Sequence, residues 1–353
     1  MRPLLTTIAL AALAASVAAP MAARSADAPY KVLKTVKAGG DGGWDYVYAD
    51  SAGRKLYAPR LGQTGHVMVF DLDTLAPLGD MADINGHGAA VDPKSGHGFA
   101  SSKPVAMWDA KTLAPIKTID VQGSPDGILG DPSSGMIYIL SHSLPNVTAI
   151  DAKDGKVVGT VDVGGAPEQT VSDGKGRLFV AVENKDEIAV VDSKTLTVTG
   201  HYSMAGKCGS PAGLAIDVKT KVLFAACRNP AVMAMLNADT GQIIDVQPIG
   251  MGVDGAGFNP ATSEAFASTG DGVLTVIKEQ SPTKFAVEQS VQTHPGARTM
   301  TVDSKTGHVL LIVADYAPPP ETPPAAAPAA PGGSRFRPRL MVPGSFSIIE
   351  VGK

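Results

Sequence analysis

The stretch from Ala166 to Gly206, APEQTVSDGKGRLFVAVENKDEIAVVDSKTLTVTGHYSMAG, constrains this chain more than any other. It holds four short β-rich runs, EQTVSD, RLFVAVE, EIAVVDS and VTGHYSM, parted by Gly, Asn, Asp, Lys and Ser, and none is long enough for a helix. Four such runs make one antiparallel sheet, and a lone sheet cannot bury both of its apolar faces. A unit of about 40 residues built this way has to stack on copies of itself, which is the logic of a β-propeller.

The copies align in three columns. The first strand of each repeat ends on an acid or amide: Asp50, Asp92, Asp131, Asp173, Asp217, Asn259 and Asp303. The second carries Tyr57, Phe99, Tyr138, Phe179, Phe224 and Phe266, with Leu310 in the seventh. The third ends on Asp71, Asp109, Asp151, Asp192, Asn237, Lys278 and Glu350. The acids and amides read as turn-makers that bond nearby backbone amides, the aromatics as packing between sheets. The seventh copy, RTMTVD, VLLIVAD and SFSIIEV, lacks a fourth strand, and a lone strand, Val32 to Val36, precedes the first copy. The expected fold is therefore all-β: a seven-bladed propeller of four-stranded antiparallel blades, the last closed by the N-terminal strand so that no sheet edge stays open.

Residues 1–28 read as an export signal: Arg2, then the apolar run LLTTIALAALAASVAA, then small residues that suit cleavage after Ala18, Ala23 or Ser25. The run is short for a membrane span, and no cysteine follows it to carry a lipid. Residues 29–353 then form one periplasmic or secreted domain. In that oxidising setting Cys208 and Cys227, which the topology brings to one face, are expected to form a disulfide. Charged residues are 18% of the chain and the net charge is −4, which disfavours a polyanion-binding surface.

The columns, with the runs LFVAVENKDEIAVVD and MIYILSHSLPNVTAID, resemble the YVTN-repeat, YncE-like propellers of exported bacterial proteins across nearly the whole mature chain. The signature tetrapeptide itself is replaced by Phe179, Val180, Ala181 and Val182, ahead of Glu183 and Asn184. The resemblance implies the fold and an exported location. It leaves activity open, because related propellers include lactonases, electron-transfer subunits and sugar-acid hydrolases. It also brings in single-stranded nucleic acid binding, for which only the RFRPR segment with Arg335, Arg337 and Arg339 around Phe336 speaks here.

Five residues before each recurrent first-strand acid or amide stand Asp45, His87, Asp126, Glu168, Ala212, Asp254 and Arg298. First strands line a propeller's channel, so this column is expected to form a ring at one mouth and to be the binding site. Four carboxylates facing one funnel repel one another unless a cation, His87 or Arg298 offsets them. A hard cation such as Ca²⁺ can sit among Asp45, Asp126, Glu168 and Asp254, with Asp126 and Glu168 as its principal ligands. Alternatively Arg298 holds a substrate carboxylate while His87 or Glu168 moves a proton. Loops between second and third strands open on the same face and place Arg60, Lys103, His142, Glu183, Asn184 and Arg228 on the rim. The Pro/Ala-rich insertion at 317–343 is one of these loops, expected to reach over the acidic mouth as a lid or partner contact. The functional expectation is a binding or scaffold protein whose ligand or partner meets that face, with a lactonase-like or other metal-assisted hydrolase as the alternative.

Overall fold

Seven four-stranded antiparallel sheets account for all the strands of residues 28–318 and 340–353, the parts of the chain described by this computed structural model. Six sheets are built from four consecutive strands. In the seventh, the N-terminal strand Lys31–Lys37 pairs with Ser347–Gly352, which pairs in turn with Val309–Val313 and then Met300–Val302. The closure read from the sequence is present. Both chain ends are also pinned to the sixth blade: Glu264, fully buried there, accepts hydrogen bonds from the Tyr30 hydroxyl at 2.6 Å and the Lys353 ammonium at 2.8 Å. The Tyr30 ring meets Phe266 edge-on at 5.4 Å.

The first two sequence columns have the structural roles assigned to them. Asp50, Asp92, Asp131, Asp173, Asp217, Asn259 and Asp303 are buried, and each accepts a backbone N–H two or three residues on, fixing the turn into the second strand. Tyr57, Phe99, Tyr138, Phe179, Phe224 and Phe266 are completely buried. Apolar clusters form at the seams where one blade's face meets the next, as in the group joining Phe179, Ile188 and Val190 of the fourth blade to Leu214, Leu223 and Leu236 of the fifth. Cys208 and Cys227 are bonded, within that same buried group.

Three expectations fall on undescribed residues: the export signal, but for its last position, the reach of the insertion over the mouth, whose residues 319–339 lie outside the described parts, and the basic segment Arg335 to Arg339. The ends of the insertion are described and are more ordered than a Pro/Ala-rich loop suggests. Tyr316 bridges Met341, Ala317 donates to the Leu340 carbonyl at 2.8 Å, and Val342 donates to that of Asp315 at 2.8 Å, making a short two-stranded stem. No helix among the described residues is long and apolar enough to cross a membrane.

Candidate functional site

The innermost strands break register where the ring residues stand. Antiparallel pairing slips between Gly86 and Ala89, Pro125 and Ile128, Pro167 and Thr170, Pro211 and Gly213, and Val253 and Gly255. His87, Asp126, Glu168, Ala212 and Asp254 lie inside those slips. A β-bulge adds a residue to one strand and re-aims its side chain. Five repeats of one bulge therefore turn five ring positions toward the axis. Hydroxyls on neighbouring second strands brace them: Ser101 donates to the Asp126 carbonyl, and Ser268 to that of Arg298 at 2.5 Å.

The next position in each repeat decides how wide the channel is. It reads Tyr46, Gly88, Gly127, Gln169, Gly213, Gly255 and Thr299. A Cβ on Gly213 would stand 2.9 Å from the Ala256 backbone nitrogen, so the glycines let adjacent inner strands approach closely. Tyr46 and Gln169 fill the space. Tyr46 reaches from the first blade to the fourth, its hydroxyl 3.1 Å from Oε2 of Glu168. Gln169 accepts from the Leu214 and Ala256 amides at 3.0 and 3.1 Å and donates to the Ala256 carbonyl at 2.9 Å, which ties three blades together. Tyr46 thus floors the funnel, and the channel continues beneath it as a cavity of about 330 Å³ that includes Tyr48, Ala90, Leu129, Ile216 and Phe258.

Around the funnel, charge alternates. Nδ1 of His87 lies 2.9 Å from Asp45 and 3.0 Å from Asp126. Those two carboxylates, Asp126 first, push the imidazole up to about 10, so it is an imidazolium at neutral pH. Ala212 leaves the fifth blade without a ring charge, and Arg228 from that blade's second strand takes the place, bonding Glu183 on one side and Asp254 on the other. Asp254 also receives Arg298 at 2.9 Å. The circuit runs Asp45, His87, Asp126, Glu168, Arg228, Asp254, Arg298. Glu168 is the exception to the alternation. Burial, and then the charges of Asp126, Glu183 and Asp254, push its carboxyl up to about 8 against the opposing pull of Arg228. It is held protonated beside His142, whose Nε2 lies 3.6 Å from it and 3.4 Å from Glu183. Desolvation raises Asp45 as well, and the Tyr46 phenol lies well above its usual range for the same reason.

The expected ring is therefore assembled, with its repulsion relieved by interleaved cations. On the rim, His142, Glu183 and Arg228 join this network. Asn184 accepts the Ala166 amide at 2.8 Å and fixes its own loop, and the exposed Lys103 side chain bonds the Gly123 carbonyl. Arg60 requires correction. It is completely buried, donating to the carbonyls of Gly39, Gly42 and Gly43 at 2.8–3.3 Å, with its guanidinium 3.6 Å above the Phe346 ring. The glycine-rich connection AGGDGG folds back over it, because Gly39, Gly40 and Gly42 adopt positive φ. Arg60 fastens the closing strand and offers nothing to a ligand. The stem of the insertion stands nearby, Tyr316 resting on Trp44 beside Asp45 at 6.2 Å between ring centres.

The metal expectation also changes form. Among the described residues, the two sets whose ligand atoms lie within 4.8 Å of one another are Asp45, His87 and Asp126, and His142, Glu168 and Glu183. Asp126 and Glu168 fall in different sets, each completed by an imidazole. Such mixed donors suit a borderline cation better than Ca²⁺, and one bound at the first set would have to displace the His87 proton.

No protein-family model matches the sequence, and no curated protein matches it. Among solved structures the chain is similar to one in the crystal structure of a mitotic checkpoint complex, at 11% identity and a TM-score of 0.69, covering 86% of this chain and 95% of that one. At that identity the likeness carries the fold alone.

Proposed function

We propose that the protein is a binding propeller of the YncE-like type, working outside the cytoplasm, whose mouth takes a small polar ligand bearing both hydrogen-bond donors and acceptors. The observation that carries this reading is the alternating ring. A site built for one cation would concentrate carboxylates, whereas one for an anion would concentrate arginines. Here acceptors on Asp45, Asp126 and Asp254 stand between donors on His87, Arg228 and Arg298, over a floor made by Tyr46. Each charge is held by its neighbours, so the ring is preorganised and a ligand does not have to order it. The leader-like N-terminus, together with a buried disulfide that suits an oxidising compartment, supports the exported location.

A hydrolytic reading has one observation in its favour: Glu168, protonated at neutral pH beside His142, is a carboxylic acid placed to donate a proton into the funnel. A thermal-shift screen of sugar acids, amino sugars, polyols and amino acids tests the binding reading. The ligand that raises Tm in the native protein is expected to bind at least about tenfold more weakly to Asp126→Asn and Arg298→Ala, the loss of roughly one charge-assisted hydrogen bond. A ligand bound equally well by both variants would place the site elsewhere. Turnover of a bound lactone or ester, lost in Glu168→Gln with binding retained, would move the reading to the enzyme.

A further inference from the structure

On the opposite side of the ring positions, where the inner strands end, the seam between the fifth and sixth blades buries a carboxylate that no cationic side chain is seen to pair. Glu279, on the sixth blade's third strand Val273–Ser281, is 5% exposed, and neither of its carboxylate oxygens makes a hydrogen bond of normal geometry, although the Thr220 hydroxyl and the Asp217 carboxyl approach them. It faces Asp217, the 5% exposed acid that ends the fifth blade's inner strand, and Thr220 in the following turn. The Thr220 hydroxyl is buried and likewise unbonded. Oδ1 of Asp217 accepts the Lys219 amide N–H at 2.8 Å.

An isolated buried carboxylate costs several kcal/mol, and two facing each other cost more. Unbonded buried oxygens converging from two blades are the arrangement that a cation or a shared proton resolves. We propose that Asp217, Thr220 and Glu279 bind a hard divalent cation, Ca²⁺ by donor chemistry, at the seam of blades five and six. The donors are all oxygen, and Glu279 can supply two of them, with water and backbone carbonyls completing the six to eight that Ca²⁺ takes. The seam is approached from outside at Thr220. A cleft of about 280 Å³ between the same two blades reaches Thr220 and is lined by Asn237 and Gln242 from one side and Pro282 and Thr283 from the other.

The test uses full-length protein stripped with chelator, then titrated with Ca²⁺ alone while unfolding is followed by heating. Saturating Ca²⁺ is expected to raise Tm by roughly 3 °C or more in the native protein. That rise should vanish in Glu279→Gln, shrink in Thr220→Val, and persist in Asp126→Asn, whose change is confined to the channel mouth. No rise in the native protein, with Glu279→Gln more stable than it, would show a carboxyl pair sharing a proton and overturn the site. A rise retained in Glu279→Gln but lost in Asp126→Asn would overturn it too, by assigning the cation to the funnel.

Discussion

His87 and Glu168 hold protons in the folded protein that the unfolded chain would release earlier, so each ties stability to pH. For Glu168 the folded value is about 8 against 4.5 unfolded, so its contribution is complete below 4.5 and lost as pH rises through 8. For His87 the folded value is about 10 against 6.5, so its contribution is complete below 6.5 and lost as pH rises through 10. Both act in the same direction. The part of Tm that these groups control should fall between about pH 5 and 10, with Glu168→Gln flattening the lower part of that fall and His87→Gln the upper part. A series of melts across that range checks this, and equal slopes in all three proteins would contradict the assignment. Position in the sequence identified both residues, but not their charge state. Their environment comes from side chains of other strands: Asp126 and Asp45 around His87, and Asp126, Glu183, Asp254 and Arg228 around the buried Glu168.

At the scale of the strand, the bulge and the residue after it shape the site. The sequence showed the ring column because its residues are ionisable at a fixed offset from the turn acids. It hid the bulge, which is a matter of pairing, although Pro125, Pro167 and Pro211 just before three of the slips are its trace, since proline cannot donate to a ladder. The glycine column behind the ring carries no signal in the sequence, because four glycines in a chain with 39 do not stand out. Arg60 misled for a related reason: an arginine at the end of a second strand looks like a loop residue until the glycines that fold over it are placed. Gly213→Ala tests the close approach of inner strands. The added methyl meets backbone of the sixth blade, which cannot swing aside, and should cost about 1–3 kcal/mol by urea unfolding. An unchanged midpoint would mean that the strands are not that close. The disulfide works on the same blade. Replacing Cys208 and Cys227 together by alanine should cost about 3 kcal/mol, read by the same unfolding curves in oxidising buffer.

For the whole molecule, closure is what makes seven separate strand ends into one site. The count of blades and the borrowed strand were legible because register columns repeat and one repeat is a strand short. Loss of residues up to Lys37 should leave the edge of Ser347–Gly352 unpaired and remove the Tyr30 anchor on Glu264. That shortened protein is expected to melt lower and to self-associate as concentration rises, measured by light scattering behind a sizing column. A monomer with native Tm would show that the ring closes without this strand.

The account stands on three blades bringing Asp45, His87 and Asp126 to one point. The direct measurement is the pH titration of the His87 ring by nitrogen-detected NMR, assigned by comparison with His87→Gln. If the ring is assembled as described, His87 stays protonated through neutrality and titrates near 10. Titration near 6.5, the value of a solvated imidazole, would mean that the two carboxylates do not meet it and that the funnel is not the site described.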